Sequence, residues 1–168
     1  MLDRVREALF NILRPRLPGS LVWDLFAGSG SLGLEALSRG ARKCWFVEKD
    51  PRVLAVLKRN LENLLGEEAG EAGGILKGDG WRPPVPPEEG PPDLVFLDPP
   101  YALVQGDPFQ VREWILGLRG RLAPGGLLVF HYPAGKPEGA GSLDGMGGER
   151  RTWGTSSLAF LPPREEEP

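Results

Sequence analysis

The apolar run Leu21-Val22-Trp23-Asp24-Leu25 leads into Gly28-Ser29-Gly30-Ser31-Leu32-Gly33, and a segment of helical composition follows at once. A G-x-G-x-x-G turn between a buried strand and a helix belongs to parallel βαβ architecture. Its glycines allow a tight turn and close backbone approach. Alone the pattern is a weak signal, and its flanks strengthen it. Leu21 to Leu25 reads as a strand, Ser31 to Ser38 as a helix ended by Gly40, and Lys43 to Val47 as a second strand. Pro51 opens a helix with Val53, Leu54, Val56, Leu57, Leu61 and Leu64 on its apolar side, followed by a short strand near Ile75-Leu76. A fourth strand at Leu94 to Leu97, a helix at Pro108 to Leu118 and a fifth strand at Leu127 to Tyr132 continue the alternation. The prediction is an α/β fold with a Rossmann-like, doubly wound, mostly parallel sheet and helices on both faces. Ahead of it, Asp3 is placed to cap a helix over residues 3–14 that stops before Pro15. Behind it, Arg151 to Trp153 and Ser157 to Leu161 flank Gly154 as a hairpin closing the sheet edge.

The chain has 168 residues, which suits one domain over 1–161 that buries about two-thirds of its unfolded surface. Residues 162–168 read as a frayed acidic tail. The proline run between Arg82 and Pro92 predicts a stiff, extended surface loop, and the glycine-rich stretch from Ala134 to Gly148 a mobile one. One cysteine, Cys44, excludes an intrachain disulfide and a cysteine-based metal centre; it reads as a core residue, and no metal is expected. A reducing cytoplasm fits. No apolar stretch reaches the roughly 20 residues that span a bilayer, so no membrane partner is expected. The formal net charge of −3 weighs against a nucleic-acid partner, but its distribution softens the objection. Arg4, Arg6, Arg14 and Arg16 crowd the N-terminus, Arg39, Arg42 and Lys43 form a second cluster, and Glu165-Glu166-Glu167 loads acid into the tail.

Two loops carry the candidate chemistry. In the first, Asp24, Phe26, Ala27, Gly28, Ser29 and Gly30 form the turn after strand one. Glu48, with Lys49 at the end of strand two, is placed to bind ribose hydroxyls. NAD, FAD and S-adenosylmethionine would all satisfy that geometry. A carboxylate at Asp24 favours the last, because it suits an ammonium and a sulfonium better than a pyrophosphate. Asp79 and Gly80, after strand three, offer an acceptor for an adenine amino group, with an Asp-Gly turn as the alternative reading.

The second loop is Asp98-Pro99-Pro100-Tyr101, at the carboxyl end of strand four. A nucleobase amine delocalises its lone pair into the ring and is a poor nucleophile. Accepting its two protons on the Asp98 carboxylate and the Pro99 carbonyl would favour a pyramidal nitrogen and stabilise its developing positive charge. Pro99 and Pro100 stiffen the loop. Tyr101 offers a ring on which an extruded base can stack. The pair of loops points to methyl transfer onto a base.

Together, Asp3-Arg4-Val5-Arg6-Glu7-Ala8-Leu9-Phe10-Asn11, Asp24 through Ala41 and Asp98-Pro99-Pro100-Tyr101 resemble the bacterial RsmD family of class I S-adenosylmethionine-dependent methyltransferases. The resemblance covers most of residues 3–132, and Arg151 to Leu161 is similar to the family's terminal strand segment. It implies a seven-stranded sheet, S-adenosylmethionine as cofactor, and methylation of a guanine N2 in small-subunit ribosomal RNA by a monomer. The partner would be that RNA or a partly assembled small subunit. By the same resemblance Glu48 holds the ribose, Asp79 the adenine, Asp24 with Gly28 to Gly30 the methionyl part, and Asp98 through Tyr101 the target amine, while Arg4 and Arg6 lie near the RNA. Three features depart from it. No basic segment precedes Asp3 in this sequence, the proline run is atypical, and His131, read as a strand-end residue, stands where an acid is expected. Alternatives left open are an adenine-N6 methyltransferase, an NAD-binding oxidoreductase and a non-catalytic RNA-binding module.

Overall fold

A computed structural model of the chain describes residues 1–84, 89–135 and 141–164. Seven strands form one sheet: β1 Leu21–Asp24, β2 Lys43–Glu48, β3 Gly73–Lys77, β4 Leu94–Leu97, β5 Leu127–Pro133, β6 Glu149–Trp153 and β7 Ser156–Leu161. Their spatial order is β3-β2-β1-β4-β5-β7-β6. The first five run parallel, and β7 pairs antiparallel with both β5 and β6. The helices are α1 Asp3–Leu13, α2 Ser31–Ser38, α3 Pro51–Leu65, α4 Ala69–Ala72, α5 Tyr101–Val104 and α6 Pro108–Arg119.

Local chemistry explains most boundaries. Asp50 and Asp107 cap α3 and α6, each accepting a backbone N–H two residues on, and Pro51 and Pro108 follow at first helical positions. Gly40, at φ 100°, lets the chain leave α2. Asp3 is the first residue of α1 rather than its cap, and its carboxylate pairs with Arg6 at 3.1 Å. Alternating strand residues supply two cores. Phe46, Phe96 and Phe160 face Leu9, Phe10 and Leu57 on one side, while Val95, Leu97 and Phe130 face Ile115 and Leu118 on the other.

The structure adds two short helices that the sequence pattern does not announce, and it bears on two segments read as loose. α4 and α5 have four residues each, too short to register as a periodic pattern. The glycine-rich stretch is anchored where it is described, since Leu143 and Met146 are buried and Arg150 donates to the Leu143 carbonyl at 2.6 Å; residues 136–140 lie outside the described residues. Of the tail, residues 165–168 are likewise outside them, and Arg119 donates to the carbonyls of Pro162 and Pro163. Residues 85–88 of the proline run are also outside the described residues. Its far end is tied down: the Pro92 carbonyl accepts from Ala123 N–H and the Asp93 carboxylate from Leu21 N–H.

Candidate active site

The strand order reverses between β1 and β4, where an open α/β sheet forms a crevice at its carboxyl edge. A cavity of about 620 Å³ occupies that place. Phe26, Gly28, Glu48, Lys49 and Gly80 line one part of it, and Asp98, Pro99, Pro100 and Tyr101 another. Met1 and Leu2, at the head of α1, and Thr155 and Ser156, at the turn from β6 into β7, complete the rim. Both loops singled out from sequence therefore meet in one space.

Each glycine of the first loop has a separate task. Gly28 takes φ 55° and faces the cavity. Gly30, at φ 94°, caps α2 with its backbone, and a Cβ there would meet Leu57 at 2.5 Å. Gly33 lets α2 pack directly on β2, since a Cβ would lie 2.3 Å from the Phe46 ring and 2.6 Å from the Cys44 sulfur. Gly80 permits a close crossing, because a Cβ would stand 2.0 Å from the Leu25 carbonyl oxygen. The side chain of Glu48 braces this loop: Oε2 accepts from Gly28 N–H, and Oε1 accepts from the N–H groups of Lys49 and Asp50.

Not every candidate reaches the cavity. Asp24 is 1% exposed, and its Oδ2 accepts the Gly33 N–H at 3.0 Å. Burial pushes its carboxyl up to about 7 against the Gly33 hydrogen bond, and the neighbouring charges of Asp98 and Glu48 add to the rise. Its Oδ1 is buried with no partner among the described residues. Asp79 turns back on its own chain, its Oδ1 accepting from Trp81 N–H in an Asx turn, and its neighbours Gly78 and Gly80 line the cavity instead. Ala27, Ser29 and Gly30 lie behind the lining; the Ser29 carbonyl accepts from Asn60. Cys44 is buried in the core, where burial raises its thiol.

At the reactive loop, Pro99 is buried while Tyr101 is 39% exposed. α5 begins at Tyr101, so the Pro100 carbonyl accepts from Leu103 N–H. The Asp98 side chain is 24% exposed, and its Oδ1 lies 2.6 Å from His131 Nδ1. On the far ring nitrogen, Nε2 stands 3.3 Å from the Tyr101 hydroxyl.

The family described as Conserved hypothetical protein 95 matches residues 1–160. Over 139 residues the chain is 45% identical to ribosomal RNA small subunit methyltransferase D of Haemophilus influenzae, which is 80% of this chain and 68% of that protein. The chain belongs to this family. It spans about half the length of two further curated relatives, from Bacillus subtilis and Escherichia coli. A solved Haemophilus influenzae structure superposes with a TM-score of 0.72 at 33% identity, covering 97% of this chain and 98% of that one. An RNA methyltransferase of Salinibacter ruber, solved with S-adenosyl-L-homocysteine, shares the fold at 15% identity and a TM-score of 0.70, covering 100% of this chain and 95% of that one. The sheet is that of the class I methyltransferases.

Within this family fold, sequence reasoning missed two features. His131 was read as a strand-end residue, yet it lines the cavity and touches both Asp98 and Tyr101. The signal was its offset from Phe130, which pairs with Leu97 just before Asp98; reading it required the strand register. The second feature is an aromatic stack behind the lining residue Phe26, which meets Trp81 edge-on, while Trp81 stacks on Trp114 with centroids 4.7 Å apart.

Proposed function

We propose that this chain, acting through one catalytic domain over residues 1–161, transfers a methyl group from S-adenosylmethionine to the exocyclic N2 amine of a guanine in small-subunit ribosomal RNA. The observation that carries this reading is that Gly28, Glu48 and Gly80 line the same cavity as Asp98, Pro99 and Tyr101. The family's ribosomal RNA methyltransferase relatives support the substrate class.

The cavity suits an adenosyl group. Gly80 brings backbone together too closely for any side chain, Leu25, Phe26 and Val47 supply apolar wall, and Glu48 supplies an acceptor at the end of β2. Glu48 would hold the ribose while still bracing the loop, since each carboxylate oxygen accepts more than one hydrogen bond. Asp24, walled off beneath the turn, would act on the methionyl part through its charge state and its hold on Gly33. Asp79 would reach the adenine only by giving up its turn. The bound cofactor supplies a methyl carbon activated by a sulfonium.

The protein's task is then to present the amine. Asp98 and the Pro99 carbonyl accept its two protons and favour a pyramidal nitrogen. The carboxylate offsets the positive charge that grows there. Tyr101 offers its ring to an unstacked base, a step that costs a few kcal/mol in a duplex.

Labelled S-adenosylmethionine with unmodified small subunits, their naked RNA, or DNA, followed by digestion to nucleosides, tests the reading. N2-methylguanosine from ribosomal material is expected. N6-methyladenosine would replace the substrate, and cofactor binding without any product would leave an RNA-binding module.

A further inference from the structure

One side chain of the cavity has no part in the mechanism above. His131, the only histidine of the chain, has a side chain just 3% exposed. Parallel pairing of Leu97 with Phe130 brings the next residues, Asp98 and His131, side by side. The imidazole thus bridges the carboxylate at the reactive centre and the hydroxyl of the stacking ring, at 2.6 Å and 3.3 Å.

Only one neutral form satisfies both neighbours. An ionised carboxylate accepts and cannot donate, so the contact with Asp98 needs a hydrogen on Nδ1. Nε2 is then bare and accepts from the Tyr101 O–H. In the imidazolium form both nitrogens donate, the tyrosine hydrogen must turn away, and a positive charge faces Asp98 across a hydrogen bond.

We propose that His131 is a positioning residue for methyl transfer: the neutral ring holds Asp98 Oδ1 and the Tyr101 hydroxyl, leaving Oδ2 for the amine, and its protonation stops turnover. The proposal rests on the function proposed above. In the transfer, the amine lone pair forms the bond to the methyl carbon. The carbon–sulfur bond breaks with its pair going to sulfur. The nitrogen, now positive, gives its surplus proton to Asp98 and thence to water. An imidazolium beside Asp98 cancels the carboxylate charge that this step uses.

Among the described residues, the titratable and charged groups near His131 come from several elements. The loop after β4 contributes Asp98, α5 contributes Tyr101, and the end of β1 contributes Asp24, whose charge couples to Asp98. Glu48 at the end of β2, Lys49 just after it and Met1 share the cavity, while β7 presents the uncharged Leu158 opposite His131.

Because the chain has one histidine, 15N-histidine labelling of the full protein yields a single imidazole to follow by NMR. A ring protonated on Nδ1 and bare on Nε2 is expected at pH 8, and the acid limb of kcat should coincide with that ring's titration. His131→Phe should lower kcat about 10- to 100-fold, the worth of a hydrogen bond to a charged group. Calorimetric binding of S-adenosylmethionine should stay unchanged. His131→Asn, whose amide can still donate to Asp98, should regain most of that loss at pH 8 and lose the histidine limb. A merely structural histidine would not move that profile. An Nε2-protonated ring, a limb that does not follow the imidazole, or wild-type kcat in His131→Phe overturns the proposal alone. No methylated product from the wild-type protein overturns the functional reading and this one with it.

Discussion

Asp24 is a carboxyl enclosed by the fold, and its pKa of about 7 makes it a reporter of its own burial. Between its ordinary value of 3.8 and about 7, the folded chain holds a proton that the unfolded chain releases. Stability therefore falls as pH rises through that window, by on the order of 4 kcal/mol in total, and levels off above it. Asp24→Asn keeps an oxygen for the Gly33 N–H and cannot ionise. Urea unfolding of both proteins from pH 4 to pH 8 should show the variant gaining on the wild type as pH rises. Parallel curves would mean that Asp24 is solvated. Asp98 is a different kind of residue, partly exposed and turned to the cavity. Asp98→Ala should leave S-adenosylmethionine binding nearly intact while kcat falls by orders of magnitude, as for a group that acts in the transition state. A variant that keeps wild-type kcat would remove the carboxylate from the mechanism.

The element that decides whether the cavity exists is the junction of α2 with β2. Gly33 sits on the face of α2 toward Phe46 and Cys44 with no room for a methyl group. Gly33→Ala should destabilise the protein by about 1–3 kcal/mol through overpacking, less up to about 1 kcal/mol returned by alanine's helix propensity. Cys44→Ala, made in the same background, should return part of the loss, and a double-mutant cycle in urea would read the coupling. Additive effects would show that the glycine matters for its backbone alone. Such packing explains which parts of the fold were legible. Strands β1, β2, β4 and β5 announce themselves as apolar runs, and Gly33 sits at the spacing that close helix–strand packing requires. The two four-residue helices lack enough turns for periodicity, and the burial of Leu143 and Met146 depends on partners far along the chain. At the site, Asp98 through Tyr101 was visible as a motif. Asp24 and Asp79 were visible only as residue types, because which way a carboxylate turns depends on the N–H groups that happen to face it, Gly33 for one and Trp81 for the other.

Across the whole molecule, the distribution of basic side chains separates two edges that the net charge of −3 merges. Arg42 and Lys43 lie at the start of β2, the sheet edge opposite the cavity, and both pair with Glu89, at 3.3 Å and 2.7 Å. The hydrogen bond from Lys43 and the Arg42 charge hold that carboxyl below its usual range. Arg39 pairs with Glu35 at 2.7 Å and lies over the Phe10 ring. This cluster is spent on local pairs, so it offers little to a phosphate backbone. The N-terminal arginines are placed otherwise. The head of α1 reaches the cavity through Met1 and Leu2, Arg4 extends to Gly154 beside the rim, and Arg6 pairs, among the described residues, with the exposed Asp3. An RNA entering the cavity would meet these two first. Each phosphate contact adds about one unit to the slope of log affinity against log salt. Arg4→Ala and Arg6→Ala should each flatten that slope by about one unit for small-subunit RNA, whereas Arg42→Ala should leave it unchanged. Fluorescence anisotropy between 50 and 200 mM salt, the range over which such contacts weaken steeply, reads all three. A slope that responds to Arg42 rather than to Arg4 and Arg6 would place the RNA on the opposite edge and detach it from the cavity.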